Sequence, residues 1–379
     1  AIVEKVTGAM RVSLAPSLNV VDADRAGNFG YFGPGLFPIR AQGKGTFPVP
    51  GWVSSLEGSG WIPFEQLPQA YNPEKDFVAT SSNRVVTGDY PYHITYDWTP
   101  PYRAQRIEHL VEQFSDGEEK LSLAEMVTIQ ADQYSEQAAE LLPLLLAVEA
   151  RDDRQRQALD IMRGWNGITG RDSVATSIYQ AWYQHLSGVL LEDELGGELL
   201  DDYLARQQPL FLKNVLADPD SVWCDNVLTV PREGCAEAAR VALERGLDDL
   251  EERLGDDPAN WQWGQLHRTQ NSHSPFSEVS WLKWIFHREI ENGGDENTIN
   301  MARIDRTRPF HQDVGPGYRQ VIDIANPQNN IFMQATGQSG NVLSPHYDDL
   351  IVRHQAVEHL PMTFGRDQVS GDVLVLRPR

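Results

Sequence analysis

Phe77-Val78-Ala79-Thr80-Ser81-Ser82-Asn83-Arg84, followed by Asp89-Tyr90-Pro91, Trp98 and Pro101-Tyr102-Arg103-Ala104-Gln105-Arg106-Ile107, is where two textures of sequence meet. Before it the chain is rich in Gly and Pro and carries short alternating apolar runs, the pattern of strands and ordered loops. After it Ala104, Ile107, Val111 and Phe114 recur at helical spacing, and Asp116-Gly117 supplies a stop.

Upstream, Leu18 to Ala23 and Phe29 to Phe32 flank Asp24-Arg25-Ala26-Gly27-Asn28, which has hairpin turn chemistry. Gly33-Pro34-Gly35, Pro48-Val49-Pro50-Gly51-Trp52 and Trp61-Ile62-Pro63-Phe64-Glu65 read as fixed loops, either the walls of a cleft or ordinary connections. Downstream, Ser122 and Glu125 form a capping box, and Leu123, Met126, Val127, Ala131 and Tyr134 make one apolar stripe. Further helices are predicted over Arg154 to Arg163, Ser173 to about Gly188, and Cys235 to Leu254, where Gly255 ends the run. Asn297 to Ile304 and Tyr318 to Ile324 read as strands. The expected layout is a sheet-forming segment over 1–100, a mainly helical block over 101–260 and a return to sheet over 261–379. That order predicts one α+β domain with helices inserted between sheet segments.

The 379 residues are 41% apolar, enough for a substantial core in one large domain or two ordinary ones. Thirty-two Lys and Arg against 54 Asp and Glu give a net charge of −22, which repels a phosphate backbone and argues against nucleic acid as a partner. The longest apolar run, Leu141 to Val148, contains Pro143 and is far short of the roughly 20 residues that cross a bilayer. Ala1-Ile2-Val3-Glu4-Lys5 lacks the features of a signal peptide, so the reading is either a cytosolic protein or a chain that begins after processing. Cys224 and Cys235 flank a loop with Pro231 and Gly234; a disulfide, which fits an oxidising compartment, and two buried thiols both remain open.

Gly27 to Gly35 has neither a Walker lysine nor dinucleotide spacing, and Gly337-Gln338-Ser339-Gly340-Asn341 misses the nucleophile elbow by one position. Ser344, His346 and Asp348 alternate and would share one face of a strand, with Asp349 opposite. A serine triad or a metal site using His346, Asp348 and Asp349 is weaker here than a polar network, because triads gather from separated segments and no second ligand cluster is present. His267 and His273 lie in a Trp-rich segment and read as packed, hydrogen-bonded imidazoles.

The opening stretch has company along the chain: Gly30-Tyr31-Phe32-Gly33-Pro34-Gly35, Pro38-Ile39-Arg40, Pro48-Val49-Pro50-Gly51-Trp52, Ile62-Pro63-Phe64-Glu65, Tyr71-Asn72-Pro73, Gly293-Gly294-Asp295 with Thr298-Ile299-Asn300, Gly337-Gln338-Ser339-Gly340, and Ser344-Pro345-His346-Tyr347-Asp348-Asp349. Together these resemble the penicillin acylase (penicillin amidase) family, in order and over nearly the whole chain. The resemblance implies an N-terminal-nucleophile hydrolase with a four-layer αββα sandwich, present here in part, formed by self-cleavage of a precursor into a small and a large subunit. It implies hydrolysis of N-acyl amides such as penicillins, cephalosporins or acyl-homoserine lactones. The implied nucleophile is a Ser heading the large subunit, with its own α-amine as base. Since Ala1 has no hydroxyl, the chain is expected to match the C-terminal part of that large subunit and to be inactive alone. Its expected partners are the small subunit, the preceding part of the large one and a small N-acyl substrate, with no membrane; its expected location is periplasmic or secreted. The alternative is an inactive acylase-fold binding protein.

Two catalytic positions follow from the resemblance. The family's stabilising Arg matches Arg103, at the head of the helix after Pro101-Tyr102. The family has two adjacent asparagines before the position of Arg84, the first donating to the oxyanion from a strand; here Ser82 stands first and Asn83 second. Ser82 is therefore the positional equivalent and Asn83 the chemical one, and on a strand the two would face opposite ways. No cofactor is expected. The position near Ile94 that would match a family calcium ligand is apolar here, so no calcium is predicted from this chain, while a structural calcium is left open for the complete protein. Trp52, Trp61 and Trp98 suit an apolar acyl chain or a phenyl ring without choosing between them.

Overall fold

The computed structural model describes the chain except residues 1, 14, 116–119, 205–208, 306–307, 372–373, 376 and 378–379; the side chains of residues 2–4 and 7 are also not described. The expected stop at Asp116-Gly117 lies outside the described residues. The chain folds as α+β and divides into two units, one of residues 1–108, 322–329 and 363–379, the other of residues 109–321 and 330–362.

In the first unit, a short helix α1 (Ile2–Ala9) precedes the predicted hairpin of β1 (Val20–Ala23) and β2 (Phe29–Phe32), with Val20 opposite Phe32. Its turn is made by Asp24, whose carboxylate accepts from the backbone N–H of Ala26 and Asn28 at 2.9 and 3.1 Å, while Gly27 takes φ +87°. A second hairpin pairs β3 (Pro38–Arg40) with β4 (Gly58–Trp61), and β5 (Gln69–Tyr71) joins β2 to complete a three-stranded sheet. The alternation in β2 drives Phe32 inward, where it meets Ile62 and Leu67 in a small apolar cluster. The division between the units falls within α2 (Tyr102–Phe114).

After the end of α2 the second unit continues with α3 (Leu123–Ala131), which the predicted capping box opens: Ser122 Oγ accepts from Glu125 N and Glu125 Oε2 accepts from Ser122 N. Helices α4 (Glu136–Leu145), α5 (Asp153–Arg163), α6 (Val174–Leu204), α7 (Pro209–Ala217) and α8 (Cys235–Leu254) follow. The helix predicted to end near Gly188 continues to Leu204, because Gly188 stays helical and the break comes at Gly196, with φ 65°. The core lies along α6 and α8, where Trp182, Leu186, Leu243, Leu247 and Leu250 are buried. The two helices meet backbone to backbone at Gly246, where a Cβ would stand 2.9 Å from the carbonyl carbon of Ala181. Cys224 and Cys235 form a disulfide that closes the loop between α7 and α8, which answers the alternative the sequence left open.

Beyond the helices, α9 (Trp263–Leu266), β6 (Arg268–Asn271), α10 (Ser280–Phe286), β7 (Arg288–Glu291), β8 (Arg303–Ile304) and β9 (Gln312–Val314) build a four-stranded sheet in the order β7-β6-β9-β8. A further sheet has the order β10 (Tyr318–Val321), β11 (Ile331–Gln334) and β12 (Leu360–Pro361), with α11 (Ile351–Gln355) before its last strand. The strand predicted over Asn297 to Ile304 is reduced to Arg303–Ile304. Side chains have claimed the backbone there: Asp295 Oδ1 accepts from Asn297 N at 2.7 Å, and Thr298 Oγ1 donates toward the carbonyls of Asp295 and Asn300 at 3.1 Å.

Asp295 is 2% exposed, and its Oδ2 accepts from Ser135 Oγ, the N-cap of α4, and from Gln180 Nε2 in α6, each at 3.1 Å. Burial outweighs these hydrogen bonds and raises its pKa from 3.8 to about 6. The folded state therefore holds this proton more tightly than the unfolded chain. The resulting stabilisation is complete below the ordinary carboxylate value and vanishes as pH rises through about 6. Denaturant unfolding at pH 7.5 and 4 should show the native protein gaining up to about 3 kcal/mol relative to Asp295→Asn on acidification. Parallel pH curves for the two proteins would refute that assignment. Replacing both Cys224 and Cys235 with Ser should lower stability by about 2 to 3 kcal/mol in the same assay, as expected for a short closed loop.

Candidate active site

The loop from Phe77 to Arg103 is held at both ends within the first unit. At its start, Lys75 pairs with Glu108 of α2 at 2.9 Å and lies over the Phe77 ring at 4.7 Å. Further along, Tyr90 Oη donates to the Gln66 carbonyl at 2.7 Å and Tyr92 Oη bonds to the Gln66 side chain. Ile94 packs against the Phe32, Ile62 and Leu67 cluster. An aliphatic side chain so placed offers no side-chain oxygen to a cation.

At its centre the structure corrects the expectation of a strand over Val78 to Arg84. Among the described residues these pair with no neighbouring strand; the chain bends at Ser81 and Ser82, and Ser82 adopts φ 60°, in the left-handed region. Arg103 is part-buried in the first turn of α2, and its Nη2 donates to the Ser81 carbonyl at 3.0 Å. Thr99 adds Oγ1 to the same carbonyl and its backbone N–H to the carbonyl of Ser82, both at 3.3 Å. Asn83 then closes the bend from the other side: its Oδ1 accepts from Ser81 N at 3.0 Å and its Nδ2 donates to the Arg84 carbonyl at 3.2 Å. Arg103, Ser82 and Asn83 are thus brought together, with Arg103 bonded to the backbone that carries Ser82.

The arrangement separates the two candidate donors by geometry other than strand alternation. The Asn83 amide is occupied by its own backbone. The Ser82 side chain is exposed, and its hydroxyl has no hydrogen-bond partner among the described residues. Beside it, the Thr80 and Ser81 hydroxyls are buried without partners among the described residues. Of these groups, Ser82 Oγ is the donor free to meet charge developing outside the loop. Trp52 and Trp61, by contrast, stand out at 87% and 55% exposure, so neither forms part of an enclosed acyl pocket in the described unit.

The second unit holds the other candidates. Ser344 to Asp349 form turns and bends, so Ser344, His346 and Asp348 do not share the single face a strand would give them. Ser344 Oγ accepts from the His346 backbone N–H at 3.1 Å, the His346 ring meets Asp349 Oδ2 at 2.9 Å, and Asp348 pairs with Arg288 at 2.5 Å. With the serine bonded to backbone and Asp348 held by Arg288, this is a polar loop and not a hydrolytic triad. Gly337 allows it to pack, since a Cβ there would meet the His346 carbonyl at 2.2 Å. His267 is stacked on Trp263 at 4.5 Å between ring centroids, and its Nδ1 meets the Phe310 carbonyl at 2.6 Å; burial lowers its pKa to about 4 and keeps it neutral. His273 bonds to Tyr347 Oη at 3.0 Å. The residue-level reading missed Asp295; its spacing of three to Thr298, a side-chain turn pattern, was the available signal.

The penicillin amidase family profile matches residues 3–371. The chain is 28% identical over 370 residues to an acyl-homoserine lactone acylase, QuiP, of Pseudomonas fluorescens, covering 91% of this chain and 44% of that protein. It is 24% identical to the penicillin acylase 2 proenzyme of Pseudomonas sp. strain SE83, covering 94% of this chain and 45% of that one. It thus spans less than half the length of these relatives. A thermostable penicillin G acylase from Alcaligenes faecalis has a similar fold, with a TM-score of 0.66 at 21% identity over 99% of this chain and 70% of that one. Should amide hydrolysis be found, His346→Ala is expected to retain it within about twofold, whereas a loss beyond tenfold would restore the triad reading.

Proposed function

This chain belongs to the penicillin amidase family, and from that membership we propose that it forms part of an acylase, an amide hydrolase acting on N-acyl substrates. The observation that carries the reading is the family match from residue 3 to 371. The bend held by Arg103 and Thr99 supplies a local chemistry that agrees with it. Acyl-homoserine lactones and penicillin-type amides are the substrate classes to test, following the names of the relatives.

In this reading a Ser hydroxyl borne by a segment outside these residues attacks the amide carbonyl, and its own α-amine takes the proton. The carbonyl oxygen gains negative charge as the tetrahedral intermediate forms. Ser82 Oγ donates to that oxygen in the role of the family's asparagine. Arg103 is a positioning residue: it fixes the Ser81 carbonyl, and so sets the direction in which the next residue presents its hydroxyl. Water then resolves the acyl-enzyme. The reading includes a companion small subunit, a precursor matured by self-cleavage, and no cofactor. It places the protein in the periplasm or outside the cell, a location supported by the Cys224–Cys235 disulfide.

The test is kinetic, in the protein produced from its complete coding sequence. Ser82→Ala should lower kcat by about 10²-fold with little change in KM, the cost of one oxyanion donor. Ser82→Asn should keep or raise the native rate. Arg103→Gln should reduce kcat through a loosened bend, with faster amide exchange at Ser81 to Asn83 as the accompanying sign. If no acyl-homoserine lactone or penicillin-type amide is cleaved but N-acyl ligands still bind, the protein is an acylase-fold binding protein. An unchanged rate in Ser82→Ala removes that residue from the chemistry.

A further inference from the structure

Arg319, in β10, is 7% exposed, yet among the described residues no carboxylate lies within ion-pair distance of it. Its Nη1 donates to the His354 carbonyl at 2.8 Å and its Nη2 to Asn300 Oδ1 at 2.7 Å, both neutral acceptors. Among the described residues the remaining guanidinium N–H donors have no further acceptor. A buried charge without a counter-ion is costly unless something of opposite sign completes it. The cost is visible in the group itself, whose pKa burial lowers to about 10.

Arg319 borders a cavity of about 130 Å³ within the second unit, which Asn271, Asn300 and His354 also line. By comparison, a dry cavity of about 150 Å³ accepts benzene, so a molecule of a few heavy atoms fits. The Asn271 Nδ2 donor is buried and has no partner among the described residues. Other polar groups of the wall are spent on one another. Gln312 Oε1 accepts from Thr269 and Asn292 at 2.5 and 2.8 Å, and Asp313, the carboxylate at the rim, is bound through both oxygens by Arg303 at 3.0 and 2.8 Å. His354 and His359 have pKa values lowered first by burial and also by Arg319, and both are neutral at neutral pH.

We propose that this cavity is an anion site that takes a small monocarboxylate, acetate or formate in size, between the Arg319 guanidinium and the Asn271 amide. Charge decides the class: one unpaired guanidinium is balanced by one negative charge, whereas a phosphate dianion would leave a buried excess. The volume of about 130 Å³ favours acids of a few heavy atoms. The site lies apart from the Ser82 bend in sequence and uses none of its residues, so its test stands independently of the acylase reading.

Sodium acetate and sodium formate are titrated against the intact native protein at constant ionic strength with chloride as the balance, following the thermal midpoint and saturation transfer to the acetate methyl or formate proton. A saturable rise in the midpoint is expected. Asn271→Ala removes an amide N–H group with no partner among the described residues, so the fold should stand while the apparent dissociation constant rises about tenfold, as for a lost hydrogen bond to a charged group. Arg319→Gln should abolish saturation; if that variant fails to fold, Asn271→Ala alone decides. Equal responses in native protein and Asn271→Ala, a response that never saturates, or tighter binding of inorganic phosphate than of acetate would each overturn the assignment.

Discussion

A single buried carboxylate, with no ion pair among the described residues, organises the second unit. Asp295 ties the start of α4, the N-terminal part of α6 and the loop before β8 together by accepting from Ser135, Gln180 and the Asn297 backbone. Three segments remote in sequence are thereby fixed by one side chain whose alternative partners, water molecules, have been excluded. The constraint is polar, so it specifies position more sharply than the surrounding apolar packing does. The Trp263 indole, donating to the neighbouring Gly294 carbonyl at 3.0 Å, holds the same loop from outside.

The candidate site uses the opposite strategy. No extended pairing fixes the bend at Ser82; it is held by bonds to its carbonyls from Arg103 and Thr99, and by the amide of Asn83 folded back on its own backbone. A left-handed residue in such a frame points its side chain where a regular strand would not. The departure from a double asparagine therefore has a structural counterpart: the second position closes the bend and the first stays open.

Much of this architecture was legible in the residues. The Ser122–Glu125 box, the Asp24 turn and the apolar spacing through α5 and α8 are local codes, and each forms where the sequence put it. The failures share one cause. Asn297 to Ile304 reads as a strand from its residues, Val78 to Arg84 is one by the family resemblance and Ser344, His346 and Asp348 would share a face in one, yet each segment is governed by side chains bonding to nearby backbone or by partners many residues away. Gly196 could not be told from Gly188 as the point where α6 breaks, because both suit a helix end and tertiary packing chooses between them. Arg319 was invisible for a related reason: an arginine in an alternating strand reads as surface until the fold covers it.

The seam at Gly246 has a consequence for how this core tolerates drift. Where two helices touch through main-chain atoms, the gap between their axes is set by the backbone itself and not by any side chain that a neighbour's change could offset. The sizes admitted at Leu243, Leu247 and Leu250 are thereby dictated from one point, as a fixed hinge pin dictates the clearance along a door. Substitutions along α8 are free to exchange shape among themselves, but the total width they fill is not theirs to alter.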